Sequence, residues 1–197
     1  MFTEWLRKVF AGMMGSIARF LSRLGIGANA ITILGCLLTI GVSVLVAMGH
    51  FRLGGILLIT TSALDNVDGT LARLNGTPTK FGAFLDSVLD RVSESAILLA
   101  IAWWYMGQPG LIEEILAYVS IVGSFLVSYA RGRAEALGVE CKVGIFTRVE
   151  RCILVIAALI LGLTSQALWL LAIGTVLTAL HRVMHVYKAA KDEPLSA

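Results

Sequence analysis

Apolar residues gather in six blocks, near 30–49, 53–75, 80–106, 111–137, 145–164 and 166–188. Most junctions carry chain-breaking residues: GH at 49–50, NGTP at 75–78, GQPG at 107–110 and TSQ at 164–166. The blocks lack the apolar/polar alternation of a membrane barrel, and three prolines leave room for long helices. Each has about the length a bilayer crossing needs, roughly 20 residues. Ahead of them Phe2, Leu6, Val9, Phe10, Met13, Ile17 and Leu21 recur at helical spacing, interrupted by Arg7, Lys8, Arg19 and Arg23. That pattern predicts an amphipathic helix lying in the membrane interface over 1–24, not a cleaved leader. The expected fold is all-α: a polytopic membrane protein with six transmembrane helices in 25–190, an N-terminal interfacial helix, and a tail over 191–197. No internal repeat or separate soluble domain is visible.

Composition agrees. Charged residues make up 15% of the chain and hydrophobic ones 57%, whereas soluble domains carry about 25% charged residues. Cys36, Cys141 and Cys152 have neither pairing nor metal-ligand spacing; the first reads as core, the others as helix or loop residues. Most Lys and Arg fall in the N-terminal segment, the 75–80 turn, 131–151 and the C-terminal tail, while the three other connections hold only Arg52. Basic excess marks the cytoplasmic side, so both termini are expected there, in the cell membrane. Six spans require the same arrangement.

Polar residues interrupt blocks two and three in a particular way. LDNVDGTLARLNGTPTKFGAFLDSVLD, residues 64–90, holds four aspartates. Asp65 and Asp68 are i,i+3, and Asp86 and Asp90 are i,i+4, each pair on one helix face. Asp68 and Asp86 each lie nine residues from Thr77, with Asp65 twelve before it and Asp90 thirteen after. For antiparallel helices turning near Thr77, the two pairs reach matching depths, roughly 14 and 19 Å from the turn. Ala72 and Gly82 lie just cytoplasmic of the acids and leave an open mouth, and Gly69 permits close approach. The outer halves of both helices are free of charge, which implies a cavity open to the cytoplasm. Four intramembrane carboxylates would cost of order 10 kcal/mol, and their mutual repulsion adds to that. Two Mg²⁺ or Mn²⁺ ions would remove both penalties, and the all-oxygen donor set disfavours zinc. A purely structural role suits one such acid, not four at matched depth. An EF-hand fails because Leu64 and Asn75 occupy its terminal ligand positions.

The spacing Asp65-x2-Asp68-Gly69-x2-Ala72-Arg73-x8-Gly82-x3-Asp86-x3-Asp90 resembles the signature of the CDP-alcohol phosphatidyltransferase family, with all eight positions filled. The resemblance implies transfer of a phosphatidyl group from a CDP-linked lipid, usually CDP-diacylglycerol, to an alcohol, with release of CMP. It makes Asp65, Asp68 and Asp86 metal ligands, and Asp90 both a ligand and the general base. Gly69, Ala72, Arg73 and Gly82 then line the CDP site, joined by Asp65 and Asp68. Asn29 and Thr32 fall in AlaAsnAlaIleThr, where the family often has a Pro-Asn-x-x-Thr-like element; here Ala28 replaces Pro. A homodimer is implied; no nucleic-acid partner is expected. The residues themselves suit the chemistry: paired cations can bridge a diphosphate, and a carboxylate can take the acceptor's proton. Nothing resembles a Ser or Cys nucleophile with its base, so in-line displacement with inversion is expected.

A second charged cluster, SYARGRAEALGVECKVGIFTRVER, bears on the acceptor. Arg148 and Arg151 are i,i+3 at the start of block five, and Arg182 lies among apolar neighbours in block six. Anchoring or snorkelling is the plain reading for such residues, and it suffices for Arg133 and Lys142. Arg148, Arg151 and Arg182 come from two helices, and converging near the acids they would suit an anionic acceptor. SerTyrAlaArgGlyArgAlaGlu followed by ThrArgValGluArg is similar to bacterial phosphatidylinositol-phosphate synthases, which use inositol phosphate. That likeness implies acceptor-phosphate contacts from Ser128, Arg131, Arg151 and Arg182. The Gly-Lys-x-Lys-Thr element common in members that use glycerol 3-phosphate is absent here, though that acceptor is the alternative within the family. His181 and His185, at i,i+4, read as interfacial, and Glu113 and Glu114 as solvated. An ion-coupled transporter also puts carboxylates in a membrane, but would not confine four to two adjacent helices.

Overall fold

The structure, a computed structural model, describes residues 27–74 and 79–192 and the isolated positions 15, 19 and 22, without the side chains of 65–70, 72–74 and 192. The expected interfacial helix over 1–24 and the tail from 193 therefore lie outside the described residues, those three positions apart. Six helices follow in order: α1 Ala28–Ala47, α2 Phe51–Leu74, α3 Lys80–Met106, α4 Ile112–Ala136, α5 Arg148–Leu161 and α6 Thr164–Asp192. No strand occurs among the described residues. α1, α4 and α6 are long and apolar enough to cross a membrane, and α2 contributes a shorter apolar stretch, Phe51–Leu64. α3 is as long, but Asp86, Asp90, Arg91 and Glu94 interrupt its apolar run between its start and its middle turn.

Helix packing closes a ring in the order α1–α2–α5–α6–α4–α3 and back to α1. α2 and α3 thus each lean on α1, and among the described residues they are not a main packing pair. The core sits at one end of the ring. Val42, Val46, Leu58, Ile97, Leu98, Ile101, Ala117, Leu159, Leu168 and Leu171 form it, all from helix halves near the 48–50, 107–111 and 162–163 connections. Phe51 and Trp104 pack edge-to-face beside it, ring centres 4.8 Å apart. Charged side chains collect at the opposite end. α3 shows the division expected of block three; the side chains of 65–70 and 72–74, in the polar half of block two, lie outside the described residues.

Close backbone approach replaces the hydrophobic effect as the packing force between helices in lipid. Gly123 on α4 meets Thr175 on α6 so closely that a Cβ there would lie 2.1 Å from Thr175 Oγ1. Helix ends follow local chemistry. Thr79 caps α3, its hydroxyl oxygen accepting the Gly82 N–H at 2.9 Å.

The fifth block differs from expectation. Helix α5 begins at Arg148, not near 145, and its 14 residues span only about 21 Å against a hydrocarbon core of roughly 30 Å. Gly144 takes φ +110°, outside helical space. Thr147 then opens the helix in extended geometry, its hydroxyl donating to Glu150 three residues on. The preceding segment is pinned to the bundle. Cys141 is fully buried. The Phe146 N–H donates to Thr178 Oγ1 at 3.2 Å, and the Phe146 ring lies against Gly174.

Candidate active site

Asp86, Asp90 and Glu94 recur every four residues on α3 and so share one face. Opposite that face stands the start of α5. The Arg148 guanidinium donates to Asp90 at 2.5 Å; the Asp90 side chain is 12% exposed and that of Arg148 44%. One turn deeper, Arg151 is 1% exposed and grips Glu94 with two parallel hydrogen bonds, Nε to Oε1 at 2.5 Å and Nη2 to Oε2 at 2.8 Å. Its Nη1 donates to the Phe146 carbonyl at 2.9 Å. Arg182 is also buried. Its Nε donates to the Val143 carbonyl at 2.9 Å and its Nη1 to that of Val127. It therefore does not snorkel: its partners come from the 137–147 segment and from α4.

These groups wall a chamber of about 370 Å³ between α3, α4, α5 and α6. Ser128 and Arg131 line it too; Arg131 sits at its exposed rim, paired with Glu135 at 2.7 Å. Among the described residues, the charged ones on the wall are Arg91, Arg131, Arg148, Arg151 and Arg182 against Asp90, Glu94 and Glu135, a formal net of +2. Three ion pairs account for six of the eight. Among the described residues Arg91 donates to the Ser87 carbonyl and Arg182 to two backbone carbonyls, so neither forms an ion pair. Behind the two α3–α5 ion pairs lies a smaller cavity of about 60 Å³, edged by Thr39, Ser62 and Cys152 and sharing Asp90, Glu94, Arg148 and Arg151 as its wall.

Asn29 and Gly82 come together across the α1–α3 contact: a Cβ on Gly82 would stand 3.0 Å from Asn29 Oδ1. Thr32 is buried one turn on, its hydroxyl donating to the Ala28 carbonyl at 3.1 Å. Asp65, Asp68, Gly69, Ala72 and Arg73 lie on α2, but their side chains are outside the described residues. Among the described residues no three His, Cys, Asp or Glu side chains gather as a metal site; two of the four expected ligands are not among them. Asp86 and Asp90 are hard oxygen donors of the kind Mg²⁺ or Mn²⁺ takes, and no imidazole or thiol competes on their helix face. His185 lies elsewhere, Nε2 at 3.0 Å from the Glu140 carbonyl.

Arg133 and Lys142, expected as anchors, do not line the chamber. Lys142 pairs with Glu140 at 2.5 Å in the solvated loop, which holds that carboxyl below its usual range and the ammonium above its own. Glu113 is less solvated than expected: it accepts the Ser165 hydroxyl at 3.0 Å and ties α4 to α6. The residue that sequence reasoning passed over is Glu94. Its signal was present, as the third acid in the 86–90–94 series.

Comparison with known proteins follows the same lines. The family profile described as CDP-alcohol phosphatidyltransferase matches residues 26–180. The archaetidylinositol phosphate synthase of Pyrococcus horikoshii is 38% identical over 176 residues, covering 89% of each chain. The phosphatidylinositol phosphate synthase of Corynebacterium glutamicum is 33% identical over 194 residues, covering 93% of this chain and 88% of that one. The crystal structure of the Mycobacterium tuberculosis phosphatidylinositol phosphate synthase with CDP-DAG bound superposes with TM-score 0.85 at 31% identity, over 88% of this chain and 93% of that one. The same enzyme in complex with manganese and citrate gives 0.84, over 88% of each chain.

Proposed function

The chain belongs to the CDP-alcohol phosphatidyltransferase family, and from that premise we propose that it transfers the phosphatidyl group of CDP-diacylglycerol to a hydroxyl of inositol phosphate. A transferase of phospholipid biosynthesis is thereby given its donor and acceptor. The observation that carries the acceptor is the chamber beside Asp90, with a net +2 on its wall. A phosphate monoester bears about −1.5 to −2 at neutral pH, so it matches that excess where a neutral alcohol does not. Relatives named for inositol phosphate headgroups support the same choice.

In the proposed step the acceptor hydroxyl oxygen attacks the lipid-side phosphorus and the bond to CMP breaks, its electron pair leaving on the CMP oxygen. Asp90 takes the hydroxyl proton. Arg151, Arg182, Ser128 and Arg131 hold the acceptor phosphate, with Arg148 beside them at the base. Asn29, Thr32, Gly69, Ala72, Arg73 and Gly82 cradle the nucleotide. Asp65, Asp68, Asp86 and Asp90 would hold two Mg²⁺ or Mn²⁺ ions, which supply charge neutralisation of the diphosphate and the departing CMP. Buried arginines held from behind need little rearrangement as charge moves, which is where such a site gains most.

In the proposed topology six helices sit in the membrane behind an interfacial segment over 1–24, the short α5 crossing only part of it, with the site and both termini on the cytoplasmic face of the cell membrane; the Lys and Arg distribution supports this orientation. A homodimer completes the proposal. Glycerol 3-phosphate, with the same charge, is the competing acceptor. The test is CMP release by purified protein with Mn²⁺ or Mg²⁺ and CDP-diacylglycerol, offered inositol phosphate, glycerol 3-phosphate, inositol or serine in turn. Inositol phosphate should give the highest kcat/KM. Preference for a neutral alcohol would overturn the acceptor; no release with any acceptor would overturn the donor as well. A parallel arm with an archaeal-type CDP-lipid tests the lipid backbone, since one relative is named for archaetidyl products.

A further inference from the structure

We propose that Glu94 is a positioning residue that sets acceptor affinity by holding Arg151 in a fixed orientation, an inference that rests on the acceptor reading above. A guanidinium has five N–H donors in one plane. Arg151 spends three of them on its support: two on the Glu94 carboxylate and one on the Phe146 carbonyl. The remaining two have no protein acceptor among the described residues, and Arg151 lines the chamber. Burial to 1% exposure deprives this side chain of water as an alternative partner, so the carboxylate decides where those two donors point. Glu94 reaches the reaction through Arg151. It lies one helical turn beyond Asp90 on the same face of α3, so the base and the acceptor's phosphate contact are mounted on one rigid element, and their spacing is fixed by α3 itself. The Glu94 charge also keeps the chamber at +2; without it the wall would stand at +3.

Glu94→Gln keeps the shape and one accepting oxygen but removes the second grip and the charge. In the full-length enzyme with Mn²⁺ and CDP-diacylglycerol, it should raise the KM for inositol phosphate about tenfold, the equivalent of about one strong hydrogen bond. The Ki of inorganic phosphate as a competitor against the acceptor should rise by the same factor, and the KM for CDP-diacylglycerol should stay within about twofold. An unchanged or lower acceptor KM would overturn the proposal, because charge damping alone would tighten binding. Equal rises in both KM values would reduce Glu94 to a structural residue. Should Glu94→Gln not fold, Arg151→Lys keeps the charge but loses the planar two-point grip, and should show the same rise confined to the acceptor. Wild-type behaviour of that variant would equally refute the idea. Failure of inorganic phosphate to compete in the wild-type enzyme would remove the acceptor reading itself, and the role of Glu94 with it.

Discussion

Replacing Gly82 by alanine separates nucleotide binding from folding. The new Cβ would lie 3.0 Å from Asn29 Oδ1 and 3.0 Å from Thr79 Oγ1, closer than carbon and oxygen pack comfortably. Thr79 is held in place as the cap of α3, its oxygen already accepting the Gly82 N–H. Asn29 is exposed on the first turn of α1 and has room to swing, so it is the group that gives way. The fold loses little, since alanine gains up to about 1 kcal/mol over glycine in a helix, which offsets the contact. The nucleotide loses one hydrogen-bonding side chain. A neutral hydrogen bond is worth about 0.5–1.5 kcal/mol, so the KM for CDP-diacylglycerol should rise roughly 2- to 12-fold. The assay is CMP release against CDP-diacylglycerol at saturating acceptor, repeated against acceptor at saturating lipid, with thermal unfolding in detergent alongside. Asn29→Ala should give a similar rise, and the double variant no more than either single one, because both act on the same contact. A normal lipid KM in a stably folded Gly82→Ala enzyme would refute the placement of Asn29 and Gly82 in the nucleotide site.

Asp90→Asn should lower turnover by about 10²- to 10⁴-fold through loss of the base, with CDP-lipid binding largely kept. Thermal unfolding in detergent shows whether the variant is folded, since Asp90 is 12% exposed and paired with Arg148; near-normal turnover would move the base elsewhere. Gly123→Ala puts a methyl 2.1 Å from Thr175 Oγ1 and 2.7 Å from its Cβ, in a fully buried contact. Overpacking of that kind costs about 1–3 kcal/mol, and a variant as heat-resistant as the parent would show that α4 and α6 do not approach so closely. Chelation should abolish CMP release, and added Mg²⁺ or Mn²⁺ should restore it; full activity in excess chelator would end the metal reading.

The helix boundaries were legible because Gly and Pro punctuate long apolar runs: five of six helices begin within two residues of the apolar blocks. The exception, α5, was obscured by an apolar pair, Ile145 and Phe146, that extends the run without being helical. The Thr147–Glu150 spacing was the better guide to its start. The arginines were recognised as a cluster, but their burial was not. Arg182 finds its carbonyl partners 39 and 55 residues away in sequence, and no local pattern reports such contacts. Glu94 was missed for a related reason. Its spacing from Asp90 is local, but its meaning comes from Arg151, 57 residues on.

Two arginines buried at 1% and 2% exposure are a poor choice for stability alone. Removing a guanidinium from water costs several kcal/mol, and an apolar residue of similar size would often serve a helix bundle as well or better. Glu94 compensates Arg151. Among the described residues Arg182 donates to two carbonyls and forms no ion pair, so an anion entering the chamber would give its charge a direct partner. Placing that charge on the last helix, across the chamber from Asp90 on α3, means that the ligand which pairs with it is also the one brought beside the base. The bundle can hold such a strained polar end because its other end is dry and closely packed around Leu98, Ile101, Leu159 and Leu168. Stability and chemistry are thus divided between the two ends of the same helices, with the two α3–α5 ion pairs at the boundary.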